Sequence, residues 1–335
     1  MPANRITRTK TIDGLVTPVF IHNDTYFFTN LQVYADGLVN CWEMVDRALF
    51  EERLRTGWVT ATVPDGCEIS VHELGAWTIA NGRWALDETK LLDRVNDLIR
   101  ELNPRMENLH DCHGRTTEKI GNVNVSILGT PREQPVRRSG PGPAAKRIKG
   151  DNISVFVRDG NALYLADVRV FADGVIELGR LPTPETLDLS QLTQAIEQGR
   201  IVSSAPRDTR IEIHDLGSFT AAEQHWSVDS ADLLRSIPDL IDAANGRPDS
   251  VARCRAAYEA YLADPTETLR EALHSTYEAV PSHRRRYVGD MDTKDIAVRM
   301  ILYGDQEIEN WSHRITARAQ GEPLPTITVP KPKKG

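Results

Sequence analysis

Apolar positions along the chain fall into two rhythms, a period of two and a period near 3.6, and the same succession of rhythms occurs twice. Residues 19 to 37, VFIHNDTYFFTNLQVYADG, correspond to residues 155 to 174, VFVRDGNALYLADVRVFADG, with one extra residue in the second copy. Farther on, Pro64 corresponds to Pro206, His72-Glu73-Leu74-Gly75 to His214-Asp215-Leu216-Gly217, Trp84 to Trp226 and Asp97-Leu98-Ile99 to Asp239-Leu240-Ile241, all at an offset of 142. Such conservation of order and spacing marks a tandem duplication, with modules at 15–104 and 152–246.

Each copy opens on two β-branched and aromatic runs that read as strands, the second ending in Val33-Tyr34 or Val170-Phe171. Ala35-Asp36-Gly37 and Ala172-Asp173-Gly174 then read as hairpin turns into a third strand, with Gly supplying positive φ and Asp bonding its own turn. Val45, Leu49 and Leu54 predict a helix over Met44 to Thr56, and Leu189, Leu192 and Ile196 predict its counterpart. Strands are expected over Trp58 to Val63 and Glu68 to Thr78. A helix closes each module, at Asp87 to Leu102 and Asp229 to Ala244, with the Asp at the N-cap. The predicted fold class is therefore α+β: tandem duplicated βββαββα-like modules, antiparallel sheets with helices on one side, plus a C-terminal helical subdomain. Joining the two sheets edge to edge across a pseudo-twofold axis would cover exposed strand edges, but the pattern does not select that packing over others.

After Gly246-Arg247-Pro248 the strand rhythm stops. Val251, Cys254, Tyr258 and Tyr261, and then Leu269, Leu273, Tyr277 and Val280, recur at helical spacing; Asp264-Pro265-Thr266-Glu267 reads as the start of the second run. The helical subdomain is assigned to 247–322 and a flexible basic tail to 323–335. Between the modules, 105–151 reads as a polar linker. Its stretch 131–149 carries Arg132, Arg137, Arg138, Lys146, Arg147 and Lys149 against the single acid Glu133, with Pro and Gly throughout, and is expected to be an exposed, irregular arm.

Composition changes this picture only at the margins. Forty Lys+Arg against 48 Asp+Glu give a net charge of −8, which argues against a protein that coats nucleic acid generally. The charge is uneven: the linker is basic, and 251–335 is nearly neutral, with 13 basic and 12 acidic residues. Nucleic acid would therefore meet the chain through the linker or through Arg284, Arg285 and Arg286. The 40% hydrophobic and 26% charged content is that of a globular protein. The N-terminal MPANRITRTKTIDG lacks an apolar run and no stretch is long enough to span a bilayer, so a cytoplasmic protein without a membrane partner is expected. Cys41, Cys67, Cys112 and Cys254 form no CxxC pair and read as reduced thiols.

Four features are candidates for chemistry. The repeated pair His72 and His214, each followed by a carboxylate, could form two pseudo-symmetric titratable sites. The plainer reading is favoured: a His packed under the closing helix, because adjacent strand residues point to opposite faces. His110-Asp111-Cys112-His113 packs metal-ligand types together but lacks the second, separated pair that zinc sites use. The basic linker could touch phosphates, yet no aromatic residues are interleaved to stack on bases. The densest charged segment is HRRRYVGDMDTKD, residues 283 to 295.

In that segment Asp290-Met291-Asp292-Thr293 resembles the nucleophile motif of haloacid-dehalogenase-type phosphotransferases, but too little chain follows it to build their fold. Asp292-Thr293-Lys294 resembles half of a restriction-type nuclease site and lacks its apolar strand. A calcium loop fails at Lys294 and at the missing glycine. The favoured reading is a helix capped by Asp292, with Asp295 in its first turn and Ile296, Met300 and Ile301 on its apolar face. His313 and Arg314 fall on another helix.

No Walker loop, dinucleotide fingerprint, HExxH or GxSxG is present, and no motif requires a cofactor. Two functions follow. The first is a cytoplasmic binding or adaptor protein whose duplicated modules present related surfaces to a protein partner or small ligand. The alternative is a metal-dependent enzyme on nucleic acid or phosphate, with Asp290, Asp292, Lys294 and His313 near the chemistry and Arg284 to Arg286 holding phosphates.

Overall fold

A computed structural model describes residues 6–8, 15–107, 109, 116–120, 123–127, 146–148 and 150–333. The chain divides into two compact units, Met1–Ser227 and Val228–Gly335. In chain order the first unit contains β1 (Ile6–Arg8), β2 (Leu15–Asn23), β3 (Thr25–Val33), β4 (Val39–Asn40), β5 (Met44–Val45), α1 (Arg47–Arg55), β6 (Val59–Thr60), β7 (Glu68–Val71), β8 (Gly75–Trp84) and α2 (Glu88–Leu102). A hairpin, β9 (Thr116–Ile120) with β10 (Val123–Ile127), and β11 (Lys146–Ile148) follow. The second copy runs β12 (Gly150–Asp159), β13 (Ala162–Phe171), β14 (Ile176–Gly179), β15 (Glu185–Leu187), α3 (Leu189–Glu197), β16 (Ile201–Val202), β17 (Arg210–Ile213) and β18 (Gly217–Ser227).

The α+β class and the duplication both appear, with three departures in detail. The segment expected as one strand over Glu68 to Thr78 is a hairpin, β7 and β8, folded at His72 to Leu74. The sheet is mixed rather than antiparallel: β7 runs parallel to β3, and β17 parallel to β13. The connection through α1 or α3 is long enough for a crossover, which a parallel pair requires. The arm expected to be irregular throughout ends in a strand, Lys146–Ile148, paired in parallel with Ile6–Arg8. The Pro and Gly content of the arm stops at Pro143, so nothing in its last residues bars a ladder.

Both modules contribute to one 14-stranded sheet, in which β8 of the first copy pairs antiparallel with β18 of the second. Ile79 lies opposite Ala221, and these are equivalent positions of the two copies, so the pseudo-twofold axis passes through that pair. The core is shared across the seam. Trp77 and Phe20 of the first module are fully buried in the same cluster as Phe156, Leu163 and Ile211 of the second. Helix α2 adds Leu91, Val95 and Ile99 to that cluster, and α1 adds Phe50 and Leu54. Asp87 caps α2 by accepting from the Lys90 N–H at 2.9 Å, as its position implies.

The second unit is helical: α4 (Ser230–Ala244), α5 (Ser250–Ala263), α6 (Glu267–Ala279), a 3-10 turn at Ser282–Tyr287, α7 (Ile296–Tyr303), a second 3-10 turn at Asp305–Asn310 and α8 (Ser312–Gln320). Its core gathers Cys254, Tyr261, Leu273, Tyr277, Val298 and Trp311. The segment after Gly321, expected as a flexible tail, is held by side chains and backbone alike. The Tyr261 hydroxyl donates to the Pro330 carbonyl at 2.9 Å, the Lys333 N–H donates to Pro265 at 2.7 Å, and Val329 is buried.

Candidate functional site

The repeated His-acid-Leu-Gly motif builds the seam between modules. His72 and His214 are not packed under the closing helices as expected; they sit at the hairpin turns, and His72 is 82% exposed. The chain reverses there, with Glu73 at φ 54° and Asp215 at φ 65°, so the strand alternation that kept histidine and acid apart does not apply. His214 Nδ1 lies 3.2 Å from Asp215 Oδ1, and His72 Nε2 lies 3.9 Å from Glu73 Oε1. Leu74 and Leu216 then enter the core with no exposed surface.

The glycine that follows is fixed by close approach of the other module. A Cβ on Gly217, whose φ is +146°, would lie 2.3 Å from the Arg83 carbonyl oxygen; one on Gly75 would lie 2.5 Å from the Trp77 ring and 2.6 Å from the Trp226 carbonyl oxygen. Side chains reinforce the crossing. Trp77 meets Phe156 edge-on at 5.1 Å. Buried Arg180 donates to Asn30 Oδ1 at 3.1 Å and to the Ala166 carbonyl at 3.2 Å, lies 3.7 Å from Asp167, and covers the Phe28 ring at 4.8 Å. Burial lowers the Arg180 pKa, and Asp167 counters that by favouring the charged form.

The two ends of the seam are built from equivalent strands, offset by one residue in register, and differ in chemistry. At one end Asn81, Arg83, Arg210, Ser218, Phe219 and Thr220 line a cavity of about 240 Å³. Register explains the grouping, since Ser218 lies between Arg83 on β8 and Glu212 on β17, and Thr220 lies between Ala80 and Arg210. Arg210 Nε donates to Glu212 Oε1 at 2.6 Å and Nη2 approaches Ser218 Oγ at 3.5 Å. Arg83 is exposed and makes no side-chain hydrogen bond or ion pair among the described residues.

At the other end the equivalents of Arg210 and Arg83 are Glu68 and His225. His225 Nε2 lies 2.8 Å from Thr78 Oγ1 and 3.6 Å from Glu68 Oε2, so these side chains satisfy one another. Glu223 lies across from Thr78 on the same face. Neither Arg83 nor Arg210 stood out in the sequence. The available signal was their departure from the copy: Glu68 is replaced by Arg210, and Arg83 by His225, amid core positions that stay apolar.

The charged segment 283–295 is not assembled as a reactive cluster. Asp292 does not cap α7, which begins at Ile296. Asp290 organises the turn instead, accepting from the Thr293 N–H at 2.6 Å, the Thr293 hydroxyl at 2.8 Å and the Asp292 N–H at 3.0 Å; the Thr293 N–H does most to hold its carboxyl below the ordinary range. Four residues in a turn satisfy the backbone better here than a longer helix would, because Lys294 takes a left-handed φ of 52°. Asp295 accepts from the Tyr277 hydroxyl at 2.5 Å. Asp292 and Lys294 are exposed, and the His313 ring lies 5.3 Å from Trp311.

The three arginines diverge. Arg284 bonds Asp239 at 3.3 Å and Asp249 at 3.0 Å, Arg285 bonds Glu278 at 2.8 Å, and Arg286 lies 5.0 Å over the Tyr287 ring. Among the described residues no group of three or more His, Cys, Asp or Glu is arranged to hold a metal ion. Arg137, Arg138, Lys149 and the His110-Cys112-His113 group lie outside the described residues; for Lys146 and Arg147 the strand backbone alone is described. No helix among the described residues is long and apolar enough to cross a membrane.

The family described as a domain of unknown function (DUF7638) matches residues 2–106 and again 143–248. A second, also described as a domain of unknown function (DUF7639), matches residues 249–328. No match was found among curated proteins or among solved structures.

Proposed function

We propose that this chain, which belongs to the DUF7638 family and carries two copies of that domain in tandem, is a cytoplasmic binding protein whose fused modules act as one scaffold and receive a small ligand at their seam. The observation that carries the reading is the chemical asymmetry of the seam. Both ends pair the same two strands antiparallel and bring a glycine against the other module's backbone, with the register offset by one residue: Gly217 lies opposite Trp84, and Gly75 opposite Ser227. Among the described residues one end leaves the Arg83 guanidinium unpaired beside a cavity of about 240 Å³, below the usual range for drug-sized ligands and suited to a smaller molecule. The described cysteines, Cys41, Cys67 and Cys254, are free thiols, which suits a reducing compartment.

The metal-dependent enzyme around Asp290, Asp292, Lys294 and His313 draws less support, because Asp290 already spends its carboxylate on the turn. A phosphate-holding role for Arg284 and Arg285 is weakened in the same way by their carboxylate partners. The test is a thermal-shift screen of the full chain against small metabolites, with hydrogen exchange mapping each stabilising compound. Protection gained in Glu68–Trp84 and Arg210–Ser227 is expected. Stabilisation that maps only to residues 250–333, or a screen in which nothing stabilises, overturns the reading.

A further inference from the structure

We infer that the seam cavity is an oxyanion site that takes the carboxylate or phosphate group of a small ligand between Arg83 and Arg210. This rests on the seam as the binding site and adds the ligand's chemistry. Two guanidiniums, those of Arg83 and Arg210, line the cavity, and the carboxylate of Glu212, outside the lining, is engaged by Arg210 Nε at 2.6 Å. Among the described residues the Arg83 fork is uncompensated, and Arg210, beyond its bonds to Glu212 and Ser218, has Nη1 left for a further acceptor. Planar guanidinium donors match the paired oxygens of carboxylate and phosphate, and such charge-assisted bonds are stronger than neutral ones.

The surroundings favour an anion over a neutral ligand. Ser218, 6% exposed, places a buried hydroxyl in the lining beside the two guanidiniums. Asn81 and Thr220 add uncharged donors at the rim. The mirrored end shows the opposite choice: Glu68 and Glu223 stand at the positions equivalent to Arg210 and Asn81, and His225, the equivalent of Arg83, bonds Thr78 and lies 3.6 Å from Glu68. One end of the same scaffold is thus prepared for negative charge and the other is not.

The test is calorimetric titration of the full chain with inorganic phosphate and, separately, with succinate, at low ionic strength. Saturable binding of at least one probe with one site per chain is expected, and the preferred probe identifies which oxyanion the site takes. Arg83→Gln should weaken it about tenfold, the loss of one charge-assisted contact, while Arg83→Lys, which keeps the charge without the fork, should fall between. His225→Gln at the mirrored end should leave affinity unchanged. Absence of saturation by both probes overturns the inference, as does Arg83→Gln binding as tightly as the unaltered chain. Neutral metabolites that protect the seam in the screen above, with no response to either anion, would sustain the seam as a binding site while removing the oxyanion.

Discussion

The two ends of the seam share one backbone plan and differ in what their side chains are left to do. Where Glu68, Thr78 and His225 meet, polar groups satisfy each other; where Arg83, Arg210 and Ser218 meet, a cavity remains and Arg83 has no partner among the described residues. The contrast separates what the duplicated fold requires from what it does not. The requirement is visible in residues that are the same or alike in both copies: Leu74 and Leu216 fill the core, Gly75 and Gly217 let the other module's strand approach, and the acids Glu73 and Asp215 complete the turn. Exposed positions on the same strands are free of that demand, and there the copies diverge in charge.

The largest effect should come from breaking what the ends have in common. Gly217→Ala places a methyl group 2.3 Å from a carbonyl oxygen at a backbone φ of +146° that an L side chain rarely adopts. A loss of about 3 kcal/mol or more is expected in denaturant unfolding. Gly75→Ala should cost less, because Gly75, although a Cβ there would also meet a backbone carbonyl at 2.6 Å, lacks the positive φ of Gly217. Equal and negligible losses would mean that the seam is looser than described.

A middle-sized effect is expected at the second crossing between modules. Arg180→Met removes a buried guanidinium that ties Asn30 to Ala166, yet leaves Asp167 paired with Arg169 at 2.9 Å. The expected loss is about 2 kcal/mol, less than for stranding an isolated buried carboxylate, and is read from the same unfolding curves. The smallest effect should be at the mirrored end itself. His225→Ala removes a half-exposed pair with Glu68 and should change stability by no more than about 0.5 kcal/mol. A larger loss there would make the closed end part of the fold's foundation and would erase the distinction between the ends.

Much of the architecture was legible because it is local. Repetition of Pro64 and Pro206, of Trp84 and Trp226 and of the His-acid-Leu-Gly motif announced the duplication, and Asp87 announced its helix through the capping chemistry of a single side chain. The turn at His72 to Leu74 was hidden because Glu73 adopts positive φ without being Gly, Asn or Asp, the usual signals. Sheet direction was hidden because a period of two is the same for parallel and antiparallel neighbours. The seam cavity could not be read from either copy alone: Arg83 and Arg210 belong to different modules and come together only through the pairing of β8 with β18. Residues 283–295 misled in the opposite sense, since a dense run of charge proved to be a turn and a set of separate ion pairs.

The central claim is that the two modules form one folded body through β8 and β18, and native-state amide hydrogen exchange of the full chain tests it most directly. Amides of β8 and β18 should exchange through the same opening, with the same free energy and denaturant dependence, as core amides of β3 in the first module and β13 in the second. Exchange of the second module at a distinctly lower free energy than the first, with the β8 and β18 amides unprotected, would contradict the account.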